Sequence, residues 1–352
     1  MTDKEPVILA IESSCDDTSV AVLKGFKVLS NCVHNQEIHR TFGGVVPEMA
    51  SRAHIQSIVP TVLAALKDSK VEFSHLEGIA VTQGPGLLGS LLVGHSLAKS
   101  LSLALSIPLI NVNHIEGHML SCFLIETNVQ EDSGLEFPYL CLTVSGGHTQ
   151  IVIVKNWNYF EVLGQTLDDS VGEAFDKSAK LLSLDYPGGP LIDRHAKYGN
   201  PDRFAFSKTR MNGVNFSFSG IKTNILQTMQ KEQNINPNTL KNDLEDWCAS
   251  IQKSLIAPLI LNTKKAIFTT GIKRLAIAGG VSANSFLRDE ITRLAIKENI
   301  EFYIPPLSYT MDNAAMIGAV GQFSMLNEAY DDISSSAQAR ITSDKWKYSG
   351  II

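Results

Sequence analysis

Residues Val7 to Leu23, VILAIESSCDDTSVAVL, determine the fold of the first half of the chain. The apolar, β-prone run VILAIE ends in the polar turn SSCDD, after which TSVAVL resumes the apolar pattern. Two such runs around a short polar turn predict a β-hairpin. The sequence that follows predicts, in order, a strand at 26–33, a helix at 47–67, a strand at 78–82, a helix at 88–105 and a strand at 109–112.

The same pattern returns at residues 139–154, where YLCLTV, SGGH and TQIVIV again predict strand, turn and strand. The elements predicted after it are a strand at 159–164, helices at 168–183 and 240–270, a strand at 274–278 and helices at 283–297 and 312–326. Two matching starts predict two related α/β domains of the actin, sugar-kinase and heat-shock-chaperone type, with both polar turns at a shared cleft. Two unrelated α/β units are the alternative.

We place the first domain at residues 1–130, completed by the C-terminal segment 312–352, and the second at 131–311. The acidic, turn-rich stretch from Glu126 to Phe137 marks the boundary. A chain of 352 residues is long enough for two cores, and 44% hydrophobic residues exclude a disordered chain. A net charge of -6 excludes nucleic-acid binding through bulk charge alone.

Cysteine content and the N-terminus predict a cytoplasmic protein. The five cysteines are odd in number and form no CxxC pair, which argues against a disulfide scaffold or a four-cysteine zinc site. No basic region precedes an apolar stretch at the N-terminus, so we expect no signal peptide. The most apolar segment, residues 87–112, is interrupted by His95, Lys99 and Pro108, and we interpret it as a buried helix and a strand, not a membrane span.

The motif HIEGH contains two histidines at positions 114 and 118. On a helix, His114 and His118 would share one face, a spacing that allows two imidazoles to bind one metal ion. Metalloproteases of the HExxH type need glutamate directly after the first histidine, and Ile115 stands there instead. Asp312 would complete a site of two histidines and one carboxylate, suited to iron or zinc. The alternatives are two ordinary histidines and a helix-capping aspartate.

Glycine-rich turns and carboxylates indicate a nucleotide cleft. The turns are TQGPGLLGS at 82–90, SGGHT at 145–149, YPGGP at 186–190 and AGGVSAN at 278–284. Glycine lets backbone N–H groups approach phosphate oxygens, although glycine turns more often only reverse the chain. Asp176 lies too deep in its predicted helix to serve the helix dipole, and Asp193 could face a ribose. Glu12, Asp16 and Asp17 flank the first turn and suit metal or phosphate chemistry, with an Asx-turn as the alternative.

Residues 197–222 form a basic insertion with five cations, one acid and five interleaved aromatic residues. Its cations are Lys197, Arg203, Lys208, Arg210 and Lys222, and its aromatic residues are Tyr198, Phe204, Phe206, Phe216 and Phe218. Cations among aromatic rings suit a nucleic-acid backbone with an unstacked base. The alternative is a solvated insertion whose aromatic side chains belong to the core.

Ten motifs in order resemble the universal tRNA threonylcarbamoyladenosine transferase family over residues 7–326. They are IESSCDDTSVAV, GGVVPEMASRAH, TQGPGLLGSLLVG, NHIEGH, VSGGHTQ, GEAFDKSAKLL, LDYPGGP, FSFSGIKT, AGGVSAN and DNAAMIGA. The resemblance implies an ASKHA, ribonuclease H-like fold. It also implies transfer of a threonylcarbamoyl group from threonylcarbamoyl-AMP to N6 of adenosine 37, in tRNAs that read ANN codons, with release of AMP.

The resemblance implies site residues, a metal and partners. His114, His118 and Asp312 resemble the ligands of one divalent metal, Fe(II) first and Zn(II) as the alternative, and Asp16 resembles a residue needed for activity. The residues that resemble substrate and adenylate contacts are Thr143, Val144, Ser145, Gly146, Gly147, Asp176, Gly189, Asp193 and Asn284. The implied partners are tRNA, a TsaB-like paralogue and a TsaE-like ATPase, with no membrane. A metalloprotease, a non-catalytic scaffold subunit and a small-molecule kinase are the competing functions.

Overall fold

The computed structural model describes residues 4–36, 44–127, 129, 133–206, 211–341 and 346–348. The chain divides into two compact units. The first comprises Met1–Leu135 and Pro305–Asp344, and the second comprises Glu136–Ile304 and Lys345–Ile352. Each unit contains one mixed β-sheet with helices, as expected for the predicted α/β class.

The first unit is built on a five-stranded sheet in the order β3-β2-β1-β4-β5. The strands are β1 (Val7–Glu12), β2 (Thr18–Lys24), β3 (Lys27–His34), β4 (Gly78–Gly84) and β5 (Leu109–Asn113). The first three are antiparallel, whereas β4 and β5 run parallel to β1. The predicted hairpin is therefore the β1–β2 pair, and the polar turn follows Glu12, the last residue of β1.

The helices of the first unit are α1 (Pro47–Ser69), α2 (Leu88–Leu105), α3 (His114–Leu120) and α10 (Ala314–Leu326). Leu9 and Ile11 share a core with Ile58 and Val62 of α1, because alternate residues of a strand face one side of its sheet. On the other side, α10 lies against β1, β2 and β4. Its Gly318 allows the close approach, since a Cβ there would stand 2.3 Å from Leu23.

Helix α2 is the one helix in the described part of the chain that is long and apolar enough to cross a membrane by length and composition. Core helices of globular proteins pass the same test, so the indication is weak. Its Leu91 and Ala98 are buried within the unit, and β5 follows it as predicted.

The second unit repeats this arrangement in a six-stranded sheet, β10-β9-β6-β7-β8-β11. The strands are β6 (Tyr139–Val144), β7 (Thr149–Asn156), β8 (Tyr159–Gln165), β9 (Arg274–Ala278), β10 (Glu301–Tyr303) and β11 (Trp346–Tyr348). An antiparallel trio is again followed by two strands parallel to its first member. The matching strand orders support two related domains, because unrelated units would have no reason to share them.

In the residues that the structure describes, the second unit has six α-helices. They are α4 (Val171–Leu181), α5 (Gly188–Ala196), α6 (Ser219–Ile235), α7 (Thr239–Asn242), α8 (Leu244–Thr270) and α9 (Ser285–Glu298). The single helix predicted at 240–270 is divided at Asp243. The helix predicted to start at Asp168 begins at Val171, where the Ser170 side chain accepts a hydrogen bond from the Glu173 N–H.

Candidate metal centre and nucleotide-binding turns

Helix α3 begins directly after β5, so the HIEGH motif is helical and the condition for its two histidines to share one face is met. Asn113 caps it, because its side-chain oxygen accepts a hydrogen bond from the Ile115 N–H at 2.9 Å. All seven residues of the helix are buried. His114 and His118 therefore project from one face of a buried helix, with ring centroids 4.8 Å apart.

Asp312 brings the third donor to these histidines. Its Oδ1 lies 3.1 Å from His118 Nε2 and 3.4 Å from His114 Nε2. An ion about 2.1 Å from each ligand separates neighbouring donors by about 3.0–3.4 Å, which matches both distances from Asp312 Oδ1. The ligand atoms of all three residues lie within 4.8 Å of one another, so this group could hold a divalent metal ion. The helix prediction differs in one detail: α10 is capped by Asn313, and Asp312 precedes the cap.

Glu12 contacts one of these histidines, His114, on the ring nitrogen that does not face Asp312. Its Oε2 accepts hydrogen bonds from His114 Nδ1 at 3.0 Å and from the Thr82 hydroxyl at 2.5 Å. Its Oε1 accepts one from the Ser14 N–H at 2.5 Å. Sequence reasoning noted Glu12 as a turn carboxylate but missed its contact with His114. The available signal was a carboxylate that ends an otherwise apolar strand, since a buried charge needs partners.

The charged groups of this centre shift one another's pKa values. Burial opposes the protonation of His114, but the Asp312 and Glu12 carboxylates raise its pKa well above the usual value. Burial also opposes ionisation of Asp312, yet the two imidazoles hold its pKa well below the usual range. The pKa of Glu12 is lowered, against its burial, chiefly by His114. The centre therefore carries a strong negative field that favours a cation.

The turn after β1 places two more carboxylates near this centre. Burial, with Asp16, Asp312 and Glu12 nearby, raises the pKa of Asp17 to about 7. His54 of α1 fixes the turn, because its Nε2 donates to the Cys15 carbonyl oxygen at 3.0 Å and its Nδ1 accepts from Thr18. Asp16 itself is half-buried in this turn.

In the second unit, Thr143 and Val144 end β6, and the turn Ser145-Gly146-Gly147 follows. A Cβ on Gly146 or Gly147 would have no heavy atom within 4 Å, so open space surrounds this turn. The Gly146 carbonyl oxygen accepts a hydrogen bond from Ser170 Oγ at 2.5 Å. An open, anchored glycine turn can offer backbone N–H groups to an anion.

The other predicted substrate residues of this unit contact the starts of two helices. Asp176 accepts hydrogen bonds from the N–H groups of Gly188 and Gly189, at 2.8 and 3.3 Å, and burial raises its pKa. Asp193 accepts a hydrogen bond from Ser285 Oγ at 2.8 Å. Asn284 caps α9 through its Oδ1 and donates its amide to Gln252 at 2.9 Å. The structure thus pairs Asp176 with Gly189, and brings Asp193 to the residue after Asn284.

The structure distinguishes between the two interpretations of the aromatic residues in the basic insertion. Phe204, Phe216 and Phe218 are buried in the core, so the alternative interpretation holds for these rings. Tyr198, in contrast, is 82% exposed. Lys208 and Arg210 lie outside the described residues.

Asp168 anchors this insertion, a role that its predicted place at the start of a helix did not indicate. Its carboxylate accepts hydrogen bonds from the hydroxyls of Ser217 and Ser219, both at 2.6 Å, and from the Phe218 N–H at 2.8 Å. Despite partial burial, these bonds lower its pKa. The closely spaced serines of FSFSG were the available signal.

Comparison with solved structures shows the fold class. The HypF structure from T. kodakarensis superposes with a TM-score of 0.63 at 13% identity and covers 92% of this chain. This chain spans 49% of that one, about half its length. An activator of 2-hydroxyisocaproyl-CoA dehydratase from Clostridium difficile superposes with a TM-score of 0.50 at 11% identity, covering 94% of this chain and 100% of its own. These similarities show the ASKHA fold.

Comparison with known protein sequences identifies the family of this chain. A protein from Christiangramia forsetii, named tRNA N6-adenosine threonylcarbamoyltransferase, is 51% identical over 340 residues, covering 97% of this chain and 99% of its own. A protein of the same name from Riemerella anatipestifer is 48% identical over 337 residues, covering 96% and 98%. The family model for TsaD, tRNA N6-adenosine threonylcarbamoyltransferase, matches residues 27–319. The chain therefore belongs to the TsaD family, the enzymes that make threonylcarbamoyladenosine in tRNA.

Proposed function

We propose that this enzyme takes threonylcarbamoyl-AMP as its donor and needs a divalent ion, Fe(II) in preference to Zn(II), at His114, His118 and Asp312. The observation that carries the metal site is the convergence of two imidazole nitrogens, His118 Nε2 at 3.1 Å and His114 Nε2 at 3.4 Å, on Asp312 Oδ1. When bound, the ion supplies a Lewis acid for a carbamoyl or phosphate oxygen. A facial set of two imidazoles and one carboxylate suits ferrous iron and accommodates zinc.

We propose that the second unit binds the adenylate. The N–H groups of Ser145, Gly146 and Gly147 would stabilise negative charge on the phosphate of departing AMP. Thr143 and Val144 set the direction of that turn because they end the strand before it. In the same proposal, Asp193 and Asn284 contact the ribose and base, while Asp176 and Gly189 fix the start of α5.

The reaction forms one bond between N6 of adenosine and the carbamoyl carbon, and breaks the bond from that carbon to the phosphate oxygen. The amine loses one proton, and AMP leaves with the electron pair. Adenine N6 is a weak nucleophile, so orientation supplies much of the acceleration. We propose that the turn carboxylates Asp16 and Asp17 receive or orient that proton. Asp17 suits this task near neutral pH, because its pKa is about 7.

Partners and location are part of the same proposal. We expect a TsaB-like paralogue and a TsaE-like ATPase to assist the transfer reaction in the cytoplasm, without a membrane.

An exposed apolar stripe on α1 supports a protein partner. The stripe consists of Ile55, Val59 and Leu63, which lie at i, i+4 and i+8 and are 65%, 51% and 54% exposed. For tRNA, the exposed Lys197, Tyr198 and Arg203 offer cations beside an aromatic face.

Reconstitution tests this function. Purified chain, loaded with Fe(II) under anaerobic conditions, is mixed with tRNA, preformed threonylcarbamoyl-AMP and the two partners, and the tRNA is digested for nucleoside mass spectrometry. Threonylcarbamoyladenosine at position 37, with one AMP per transfer, is the expected product. No product, where a relative of known activity works under the same conditions, would overturn the proposal.

A further inference from the structure

We propose that Glu12 is a positioning residue for the metal centre: it holds His114 in the tautomer that carries its proton on Nδ1 and presents Nε2 to the ion. This inference rests on the proposed metal site at His114, His118 and Asp312. Glu12 would not touch the ion itself, because it contacts the far nitrogen of the imidazole.

The hydrogen-bond pattern around Glu12 places a proton on His114 Nδ1, and the Ser14 hydroxyl oxygen, 3.2 Å from that nitrogen, then acts as a second acceptor. Ser14 N–H donates to one carboxylate oxygen, and the Thr82 hydroxyl donates to the other. An ionised carboxylate only accepts hydrogen bonds, so the 3.0 Å contact with His114 requires a proton on Nδ1. A neutral His114 then has its lone pair on Nε2, the nitrogen that lies 3.4 Å from Asp312.

The strands make Glu12 rigid. It is the last residue of β1 and is 1% exposed, while Thr82 lies on the adjacent strand β4. Its three donors come from the turn after β1, from β4 and from α3. A carboxylate fixed from three elements restricts the rotation of His114 before an ion arrives, and such outer partners of metal-bound histidines contribute strongly to affinity.

The second histidine lacks this support. The buried Nδ1 of His118 has no hydrogen-bond partner among the described residues. His118 is therefore oriented by its helix and by packing, whereas His114 is oriented by a carboxylate. We expect the affinity of the site to depend on Glu12 more than on any other residue outside the three ligands.

The variant Glu12→Gln tests the proposal, because its amide NH₂ group can donate to His114 Nδ1 and move the imidazole proton to Nε2. Metal affinity is measured by competition with a chromophoric chelator, with Zn(II) and with anaerobic Fe(II). We expect a 10–100-fold loss of affinity. The matched control is Glu77→Gln, since Glu77 accepts a hydrogen bond from the Val7 N–H at the other end of β1 and is exposed. The metal affinity of Glu77→Gln should match that of the parent protein within about twofold.

A second readout separates positioning from general stability. Imidazole ¹⁵N shifts of the metal-free protein, recorded at a pH high enough to make His114 neutral, report its tautomer, and we expect Nδ1–H in the parent protein and Nε2–H in Glu12→Gln. Parent-like affinity and tautomer in a folded Glu12→Gln protein would overturn the proposal. If that variant does not fold, Thr82→Val removes one donor to Glu12 and should weaken binding severalfold; unchanged affinity would overturn it equally. Failure of the parent protein to bind either ion would instead overturn the proposed metal site, and this inference with it.

Discussion

His118 and Asp312 are 194 positions apart in the sequence, yet His118 Nε2 lies 3.1 Å from Asp312 Oδ1. The contact joins α3, which follows the last strand of the first sheet, to Asp312, which precedes the Asn313 cap of α10. Both helices belong to the first unit. The candidate metal centre is thus closed by the C-terminal return of the chain.

Removal of either partner should abolish stable metal binding. We expect Asp312→Ala and His118→Ala to lose at least tenfold in metal affinity, because two remaining donors do not hold a divalent ion firmly. Metal content after gel filtration, measured by mass spectrometry, checks this. His75→Ala is the control, since His75 is an exposed histidine of the same unit. Full occupancy in Asp312→Ala would contradict the assignment.

Metal affinity should fall as pH falls, beginning at a higher pH than for an ordinary histidine. Burial lowers the pKa of His114, but Asp312 and Glu12 raise it by more than burial lowers it. In the metal-free protein, His114 therefore keeps an extra proton above pH 6.5. That proton must leave before Nε2 can bind an ion. Calorimetry in buffers of different ionisation enthalpy should show about one proton released per ion at pH 7. Zero released protons would show that His114 is already neutral.

Asp17→Asn should stabilise the metal-free protein at alkaline pH. The folded-state pKa of about 7 exceeds the unfolded value near 3.8, so ionisation of Asp17 costs stability progressively as pH rises from about 4 to 7. The asparagine variant has no such cost. Urea unfolding in chelator should show its advantage over the parent protein to be larger at pH 8 than at pH 5. A constant difference across that range would argue against a raised pKa.

The insertion should contribute to tRNA binding through a few phosphate contacts. We expect the double variant Lys197→Ala, Arg203→Ala to weaken tRNA binding at low salt and to reduce the slope of log affinity against log salt by about 1–2. Fluorescence anisotropy over a salt series measures both effects. Lys241→Ala, a cation of α7, is the control. An unchanged slope in the double variant would place the tRNA contacts elsewhere.

The stripe on α1 should be needed for the partner complex. Val59→Lys puts a charge at the centre of the stripe, and because Val59 is 51% exposed the fold should tolerate it. We expect at least a tenfold loss of affinity for a TsaB-like partner, measured by calorimetry. The control is Ile296→Lys, since Ile296 is 77% exposed on α9 of the second unit. Equal loss in both variants would mean that the effect is not specific to the stripe.

The sequence predicted most strands of the two sheets because their signals are local, but it missed the short strands β10 and β11. Apolar runs around SSCDD and SGGH define the two hairpins, and HIEGH fixes two histidines on one helical face. Asp312 was identified as a ligand, but its place before the Asn313 cap was not, because aspartate and asparagine are both good caps. Asp312 was one candidate for the third ligand beside a plain helix cap, and the family resemblance favoured the ligand.

The features that sequence reasoning missed depend on contacts between distant segments. Glu12 meets Thr82 and His114 only because β1, β4 and β5 are neighbours in one sheet. Asp168 meets Ser217 only because the insertion returns to β8. The aromatic residues Phe216 and Phe218 were equally ambiguous, since a ring in a basic segment can stack on a base or fill a core. Burial decides between the two, and burial is a property of the fold.

The C-terminal return also has a consequence for biosynthesis. About 200 residues separate β5 from α10, so a ribosome adding about 5–20 residues per second needs roughly 10–40 s between them. During that interval α10 is not yet available to pack on the face of β1, β2 and β4 that it covers in the folded protein. The second unit is almost entirely contiguous and can complete its main sheet earlier. The nascent protein therefore acquires Asp312, the third of its proposed metal ligands, only after nearly all of the chain has been translated.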